Sequence, residues 1–472
     1  MPGMAGHPER RTRRLGRSCL LALGICLAAS TPGALVAGGP RLWLGPASAQ
    51  GFTRAAAVTL LALAAALALR RLTAKKPYQY PRAPFPQARQ PPSGTESIAV
   101  IGGGPAGSTF ALCAQQWGLP VTVYDRLPHL VPDESSYINF KNVGLKALGE
   151  VSPELEKALR ENPSNLSPYT PIKTAAGETM VTINDPSAIL LRRNELSSII
   201  TAHCKTNVQY GKEVVEVEEA EAGALVRFAD GSVAKHSLAV MCCGSRVRKV
   251  KSPLKVQPRF YKKWLLRRVK DPETAASMPT HEQLFFGKAG KLIFTFPGEY
   301  LLISQNGKEL GGMSAEELQR EFGDFTGEVG GKFAGGLQQL VAGTEWHREK
   351  QYITWRSPPP KSWFVGRAVA VGDACHPMTP ATGSGASMAV LDAIELACQL
   401  AKVQWWSPEE MRAALARYQE LRETQIKQLW RIDSLRNGMN DMQNPLAVLL
   451  RDMLYGVVFK ITTTLAKRRT LR

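Results

Sequence analysis

"ESIAVIGGGPAGSTFALCAQQWGLPVTVYDR", residues 96–126, decides the fold. Residues 98–101 form a short apolar run of the kind that makes a strand buried on both faces. Gly102, Gly104 and Gly107 follow at GxGxxG spacing. A helical pattern then runs through Ala111, Leu112 and Ala114 to Trp117 and stops at Gly118. A second strand closes at Asp125 and Arg126. This strand, glycine loop, helix and strand are the order a dinucleotide site requires. Gly102 permits the tight turn, Gly104 lets the backbone approach a pyrophosphate, and Gly107 lets helix and strand pack closely. The helix start offers free N–H groups to the phosphates. Asp125, at the end of the second strand, can accept hydrogen bonds from ribose hydroxyls. Pro105, Ala106 and Arg126 complete the candidate binding residues of this unit. The motif alone does not separate FAD from NAD.

The chain around it has 472 residues, enough for two or three structural units. Its net charge of +19 is unevenly placed: residues 1–94 hold thirteen Lys and Arg against Glu9, and so supply +12. The body is mildly basic and has no basic stripe interleaved with aromatics, which argues against nucleic-acid binding. Eight cysteines are scattered and none forms a CxxC pair, so neither a disulfide scaffold nor a metal site is expected.

Residues 1–50 read as a targeting leader, with a basic start, an apolar core and the small-residue stretch "GPASAQ". Residues 51–72 are a candidate transmembrane anchor. Within them 55–69 carry no charge, and Arg70, Arg71, Lys75 and Lys76 follow as a stop-transfer flank. One cleaved leader without a mature anchor is the competing reading. Residues 73–95, with six prolines between 77 and 92, are expected to be an extended tether. The bipartite pattern resembles plastid-targeting leaders of algae with complex plastids. A plastid membrane, thylakoid or envelope, is the expected location, with a mitochondrial or other organelle membrane as the alternative.

"GRAVAVGDACHPMTPATGSGASMAVLDAIELA", residues 366–397, resembles the second flavin-binding motif of class A flavoprotein monooxygenases, the para-hydroxybenzoate hydroxylase type. Its "GDACHPMTP" is especially similar to zeaxanthin epoxidases and related plant-type monooxygenases. The resemblance implies FAD as cofactor, with Gly372 and Asp373 at the ribityl chain and Pro380 shaping a turn. Gly383, Ser384, Gly385 and Ala386 would lie under the flavin ring at a helix start suited to negative charge. Ser384 departs from the usual Gln. Arg193, in "Arg-x-x-Leu" ending at Leu196, would contact the FAD phosphates or ribose. His376 and Cys375 are read as framework.

The family has an Asp near the FAD pyrophosphate where this chain reads "MCCGSRVR", residues 241–248, with Cys243 at or near the Asp position. That departure leaves the electron donor open between NADPH and ferredoxin. A strained vicinal disulfide is conceivable; small buried thiols are the plainer reading.

The fold expected is α/β: a Rossmann-type FAD-binding domain with an inserted mixed β-sheet substrate domain and C-terminal helices. Residues 96–250 and 363–400 form the two parts of the FAD domain, 251–362 the substrate sheet, and 401–472 the helices. Phe285, Phe286, Phe294, Phe296 and Tyr300 are candidate pocket or sheet-core residues, with Trp363 and Phe364 near the flavin. After Pro445 an apolar stretch with a basic end reads as a helix packed on the body or lying on a membrane. No acid–base residue is identifiable. The function implied is an FAD-dependent monooxygenase that hydroxylates or epoxidises an apolar carotenoid, isoprenoid or aromatic substrate with molecular oxygen. A membrane-associated, FAD-binding reductase or non-oxygenating flavoprotein is the alternative.

Overall fold

The structure is a computed structural model that describes residues 78–470, except 91–96, 132–134, 207, 221–222 and 305–307. The chain divides into two units, 1–76 and 77–472. The expected leader at 1–50 and anchor at 51–72 therefore lie outside the described residues. Among those described, no helix is long and apolar enough to cross a membrane.

Two large sheets dominate the second unit, beside one three-stranded and two two-stranded sheets among the described residues. The first has six strands, in the order Phe364–Val365, Ala368–Ala370, Leu238–Met241, Ile98–Ile101, Val121–Tyr124 and Val208–Gln209. All pairs are parallel except the Phe364–Val365 edge hairpin. Val100 sits between Val240 and Val123, and all three central strands are uniform apolar runs, as burial on both faces demands. The Pro105–Trp117 helix and the Gly385–Ala401 helix pack on this sheet and on each other. Because the strands run parallel, their ends at 101, 124, 241 and 370 converge on one edge. The loops after them meet there, which is the crevice where open α/β sheets bind ligands.

The second sheet has seven strands, in the order Trp346–Arg356, Arg259–Val269, Glu299–Ile303, Leu292–Phe296, Gln283–Phe286, Tyr169–Thr174 and Thr179–Asn184. Its last two strands come from within 96–250, so the first part of the chain contributes to both sheets. Side chains alternate between its faces. Phe285, Tyr300, Ile293 and Leu302 pack on one side, under the helices Ala315–Glu321 and Leu337–Gly343. Leu284, Phe286, Phe294, Phe296, Leu301 and Ile303 face the other.

The Pro408–Asn440 helix, capped by Ser407, runs from the first sheet to the second. The Pro445–Thr470 helix packs against the cavity-side face of this second sheet, where Tyr455 meets Phe286 edge-on at 5.0 Å. A Cβ on its Gly456 would lie 2.6 Å from the Met180 carbonyl, so helix and strand approach closely. The proline-rich stretch, expected to be an extended tether, also packs on the body. Over 78–90 it is strapped to the body: Phe85 stacks on Trp117 at 4.6 Å, Ala88 N donates to the Trp117 carbonyl, and the Tyr78 hydroxyl donates to Glu395. Its aromatic residues bury surface that a solvated linker would leave exposed.

Candidate active site

The convergent loops and the apolar face of the second sheet share one cavity of 1130 Å³. That is at or above the upper end of the usual range for ligand sites, about 300–1,000 Å³, and leaves room for a dinucleotide with a substrate beside it.

The phosphate end is built by steric necessity. Gly102 has φ +104°, and a Cβ there would lie 2.8 Å from the Cys242 carbonyl oxygen. A Cβ on Gly107 would lie 1.8 Å from the Gly102 carbonyl oxygen, so only glycine lets the helix sit this close to the strand. At Gly104 a Cβ would meet nothing within 4 Å. That is an open cradle over the helix start, whose Gly104 cap supplies no side-chain bond. Asp125 is held ready by two backbone amides: Gly103 N donates to Oδ2 at 2.7 Å and Leu127 N to Oδ1 at 2.8 Å.

The ring end is built by the 371–386 segment. Gly372 has φ +61° and packs against Ala389 of the helix behind it. Asp373 follows and presents its carboxylate to the cavity. Although accessible from the cavity, it lies deep among the loops, and desolvation raises its pKa against the pull of His376 and Arg193. Gly383, at φ +58°, turns the chain into the Gly385 helix, whose start likewise lacks a side-chain cap. Two buried polar atoms beside this turn, Asn139 Oδ1 and Thr382 Oγ1, have no hydrogen-bond partner among the described residues. Unsatisfied polar atoms beside two uncapped helix starts are what a bound dinucleotide with a polar ring edge would complete, so the residues present fit FAD.

Of the expected cofactor residues, Gly102, Gly104, Pro105, Ala106, Asp125, Arg126, Arg193, Asp373, Pro380, Gly383, Ser384, Gly385 and Ala386 all line this cavity. Gly107 and Gly372 lie just behind it and act through packing. Arg193 opens the helix Arg193–Ala202 as expected. Ser384 turns its hydroxyl back to the Thr382 carbonyl at 3.1 Å. Trp363 does not reach the cavity: it is fully buried behind the loop, 5.4 Å from both His376 and Tyr418. Phe286, Phe294 and Phe296 line the cavity, whereas Phe285 and Tyr300, out of phase by one residue, face away.

His376 is framework. Its Nε2 and Asp392 Oδ2 are 2.6 Å apart, and Arg422 Nε donates to Asp392 Oδ1 at 2.6 Å. Gly372 N donates to Asp392 Oδ2 at 3.2 Å. Asp392 and Arg422 are fully buried. This buried network fixes the turn carrying Asp373 to the helix behind it. Burial pushes the Asp392 carboxyl up, but Arg422 and His376 outweigh it and hold it below the usual range.

Cys242 and Cys243 end the Leu238–Met241 strand beside the Gly102 loop and line the cavity. Both are free thiols, and no metal-binding cluster is found among the described residues. Desolvation pushes Cys243 up to about 12, so it is a neutral thiol at physiological pH.

The sequence reading passed over Glu282. It lines the same cavity two residues before Leu284, in phase with the apolar face. Its Oε2 accepts from the Thr170 hydroxyl at 2.9 Å. The signal was a lone acid at an inward position of "HEQLFF".

Comparison with known proteins fits this geometry. A model described as "FAD binding domain" matches residues 339–432, and one described as "Pyridine nucleotide-disulphide oxidoreductase" matches 96–263. The chain is 25% identical to the aurachin C monooxygenase/isomerase of Stigmatella aurantiaca over 398 residues, covering 80% of this chain and 98% of that protein. The chain is an FAD-dependent oxidoreductase, similar over most of its length to proteins named as FAD-dependent monooxygenases. To an FAD-dependent monooxygenase of Talaromyces islandicus it is 25% identical over 357 residues, 70% of this chain and 89% of the relative. Its fold matches that of Klebsiella pneumoniae HpxO complexed with FAD and uric acid, with a TM-score of 0.61 at 20% identity, covering 79% of this chain and 97% of that one.

Proposed function

We propose that the chain is an FAD-dependent monooxygenase that hydroxylates or epoxidises a flat, largely apolar substrate in the cavity beneath the second sheet. One observation carries this: the two glycine loops and an aromatic, aliphatic sheet face open into the same cavity. FAD, when bound, supplies the oxygen-transfer chemistry. The chain's own residues bind, orient and exclude water. Gly104 and the Pro105 helix start would take the pyrophosphate, Asp125 the ribose, Asp373 the ribityl chain, and the Gly383–Ala386 turn the ring. Phe286, Phe294, Phe296 and Leu301 would hold the substrate's apolar body away from water. The names of several relatives, among them the 6-hydroxynicotinate 3-monooxygenase of Pseudomonas fluorescens, favour a ring-bearing aromatic substrate over a carotenoid.

The competing reading, a non-oxygenating flavoprotein, draws on Cys243, which cannot supply the fixed carboxylate the family carries near the pyrophosphate. Anaerobic titration separates the two. A monooxygenase is reduced by NADPH or by reduced ferredoxin and reoxidises with oxygen transfer to substrate; reduction by neither donor would sink the reading.

We further propose a membrane location, plastid or other organelle, resting on residues 51–72 and on the Pro445 helix. That helix exposes Leu446, Leu449, Leu450, Met453 and Val457. Recovery of the full chain in the soluble fraction of its cells would refute this.

A further inference from the structure

We propose that Tyr78, in the strap ahead of the first strand, is a positioning residue for the flavin-binding turn. Its ring covers the Arg422 guanidinium and so preserves the buried network that pins Gly372 and Asp373. The inference rests on the FAD reading of that turn and goes beyond it: a site assembled from the two glycine loops is also held from residue 78.

The strap meets the body in two places. Around Phe85 it lies on the far end of the Pro105–Trp117 helix. There Phe85 stacks on Trp117, Ala88 N donates to the Trp117 carbonyl, and Gln90 Nε2 donates to the Gly118 carbonyl at 2.8 Å. That helix has 13 residues, which puts these contacts about 20 Å from the glycine loop. Tyr78 touches the other cofactor helix. Its hydroxyl donates to Glu395 Oε2 at 2.6 Å, and the Glu395 Oε1 accepts from Gln399 Nε2, also at 2.6 Å. Its ring faces Arg422, whose Cζ lies 4.3 Å from the ring centroid. Tyr78 thus bridges the Gly385–Ala401 helix, which starts at the flavin turn, and the long Pro408–Asn440 helix.

From Arg422 the contacts run inward. Arg422 Nε donates to Asp392 Oδ1 at 2.6 Å, and Gly372 N donates to Asp392 Oδ2. His376 Nε2 lies 2.6 Å from the same Oδ2. Two fully buried side chains therefore connect the Tyr78 ring to the amide beside Asp373. Asp392 and Glu395 are three residues apart, so they share one face of their helix. The ring and the hydroxyl of Tyr78 serve one each.

An ion pair held out of water is strong only while water stays out. An aromatic face over a desolvated guanidinium attracts the cation and keeps it dry. With the ring removed, water reaches Arg422, its hold on Asp392 weakens, and the Gly372 amide loses a fixed acceptor. The hydroxyl acts separately, by satisfying the buried Glu395 carboxylate. Any cut that removes a leader must leave Tyr78 in place for the turn to stay pinned.

Hydrogen–deuterium exchange on the full chain, stripped of FAD, tests this. The reporters are the Gly372, Cys375 and His376 amides, which donate to Asp392 and to the Gly372 carbonyl. The Leu238–Met241 strand is the internal reference, so that global unfolding cancels. In Tyr78→Ala the reporters should exchange about tenfold faster against the reference than in wild type. Tyr78→Leu, which keeps bulk but not the ring, should show the same rise. Tyr78→Phe and Phe85→Ala should unfold at lower urea yet leave the ratio unchanged. An unchanged ratio in Tyr78→Ala and Tyr78→Leu, or an equal rise in Tyr78→Phe or Phe85→Ala, would overturn the proposal. FAD titration of the same samples separates it from the reading beneath it. A wild type that takes up no FAD contradicts that reading, while the exchange ratio still decides whether Tyr78 pins the turn. Where the wild type binds, Tyr78→Ala should raise the FAD dissociation constant about tenfold, and an unchanged constant overturns the positioning role.

Discussion

Two alanine substitutions three residues apart should have opposite signatures. Gly104 has φ −71° and ψ −172°, an extended conformation open to any residue, and its added Cβ meets no atom within 4 Å. Gly104→Ala should therefore leave the stability of the FAD-free chain within about 0.5 kcal/mol of wild type. The methyl group instead fills the space over the helix start, where a phosphate would accept from free N–H groups. Hydrogen bonds to a charged group contribute about 1.5–3 kcal/mol each. Losing one raises the FAD dissociation constant roughly 10- to 150-fold. Gly107→Ala differs because its Cβ would lie 1.8 Å from the Gly102 carbonyl oxygen, a backbone atom that cannot swing aside. The helix must move off the strand, at a cost of about 1–3 kcal/mol or more, and FAD affinity falls with it. Urea unfolding of the stripped proteins and FAD titration by flavin fluorescence measure both quantities. If Gly104→Ala binds FAD as wild type does, or destabilises the empty chain as much as Gly107→Ala, the placement of the pyrophosphate over Gly104 is refuted.

Three further outcomes follow from the buried groups. Arg422→Leu strands Asp392, which is fully buried, without its guanidinium, and should destabilise the chain by about 3–5 kcal/mol in denaturant unfolding; a loss under about 1 kcal/mol would contradict the network. Because Asp392 is held below its ordinary value, its contribution is present above the usual carboxylate range and fades as pH falls. Asp433 behaves oppositely. Burial raises it to about 6 despite Thr379 and Arg356, so it favours the folded state at low pH and loses up to about 3 kcal/mol as pH rises from about 4 to 6. Asp433→Asn should flatten stability across that window, and an unchanged slope counts against the assignment. Cys243, held neutral, should resist iodoacetamide at pH 7.5 in the native chain, and mass mapping should find it free of disulfide; rapid alkylation would refute its assignment as a neutral thiol.

The glycine loops were legible because their constraints are local. Whether a Cβ fits at Gly107 or Gly372 depends on a turn a few residues long and the elements that flank it. The same holds for the uniform apolar strands of the parallel sheet. The substrate side was less legible because its meaning is non-local. Alternation along "HEQLFFG" separates Glu282, Leu284 and Phe286 from Phe285, but it does not say which set faces the cavity. That depends on pairing with Tyr169–Thr174, more than a hundred residues earlier. For the same reason Trp363 was expected near the flavin although it lies behind the loop, edge-on to Tyr418. The packing of the proline-rich stretch over 78–90 was not legible because its aromatic residues find partners, Trp117 and Glu395, that composition cannot reveal.

The central claim is that the loops after the parallel strands bind FAD in a cavity shared with the substrate. It is tested most directly by purifying the full chain, releasing its cofactor and quantifying FAD per chain. The account predicts a yellow protein with one FAD per chain, lost in Gly107→Ala. A colourless wild-type chain that takes up no FAD on titration would contradict it.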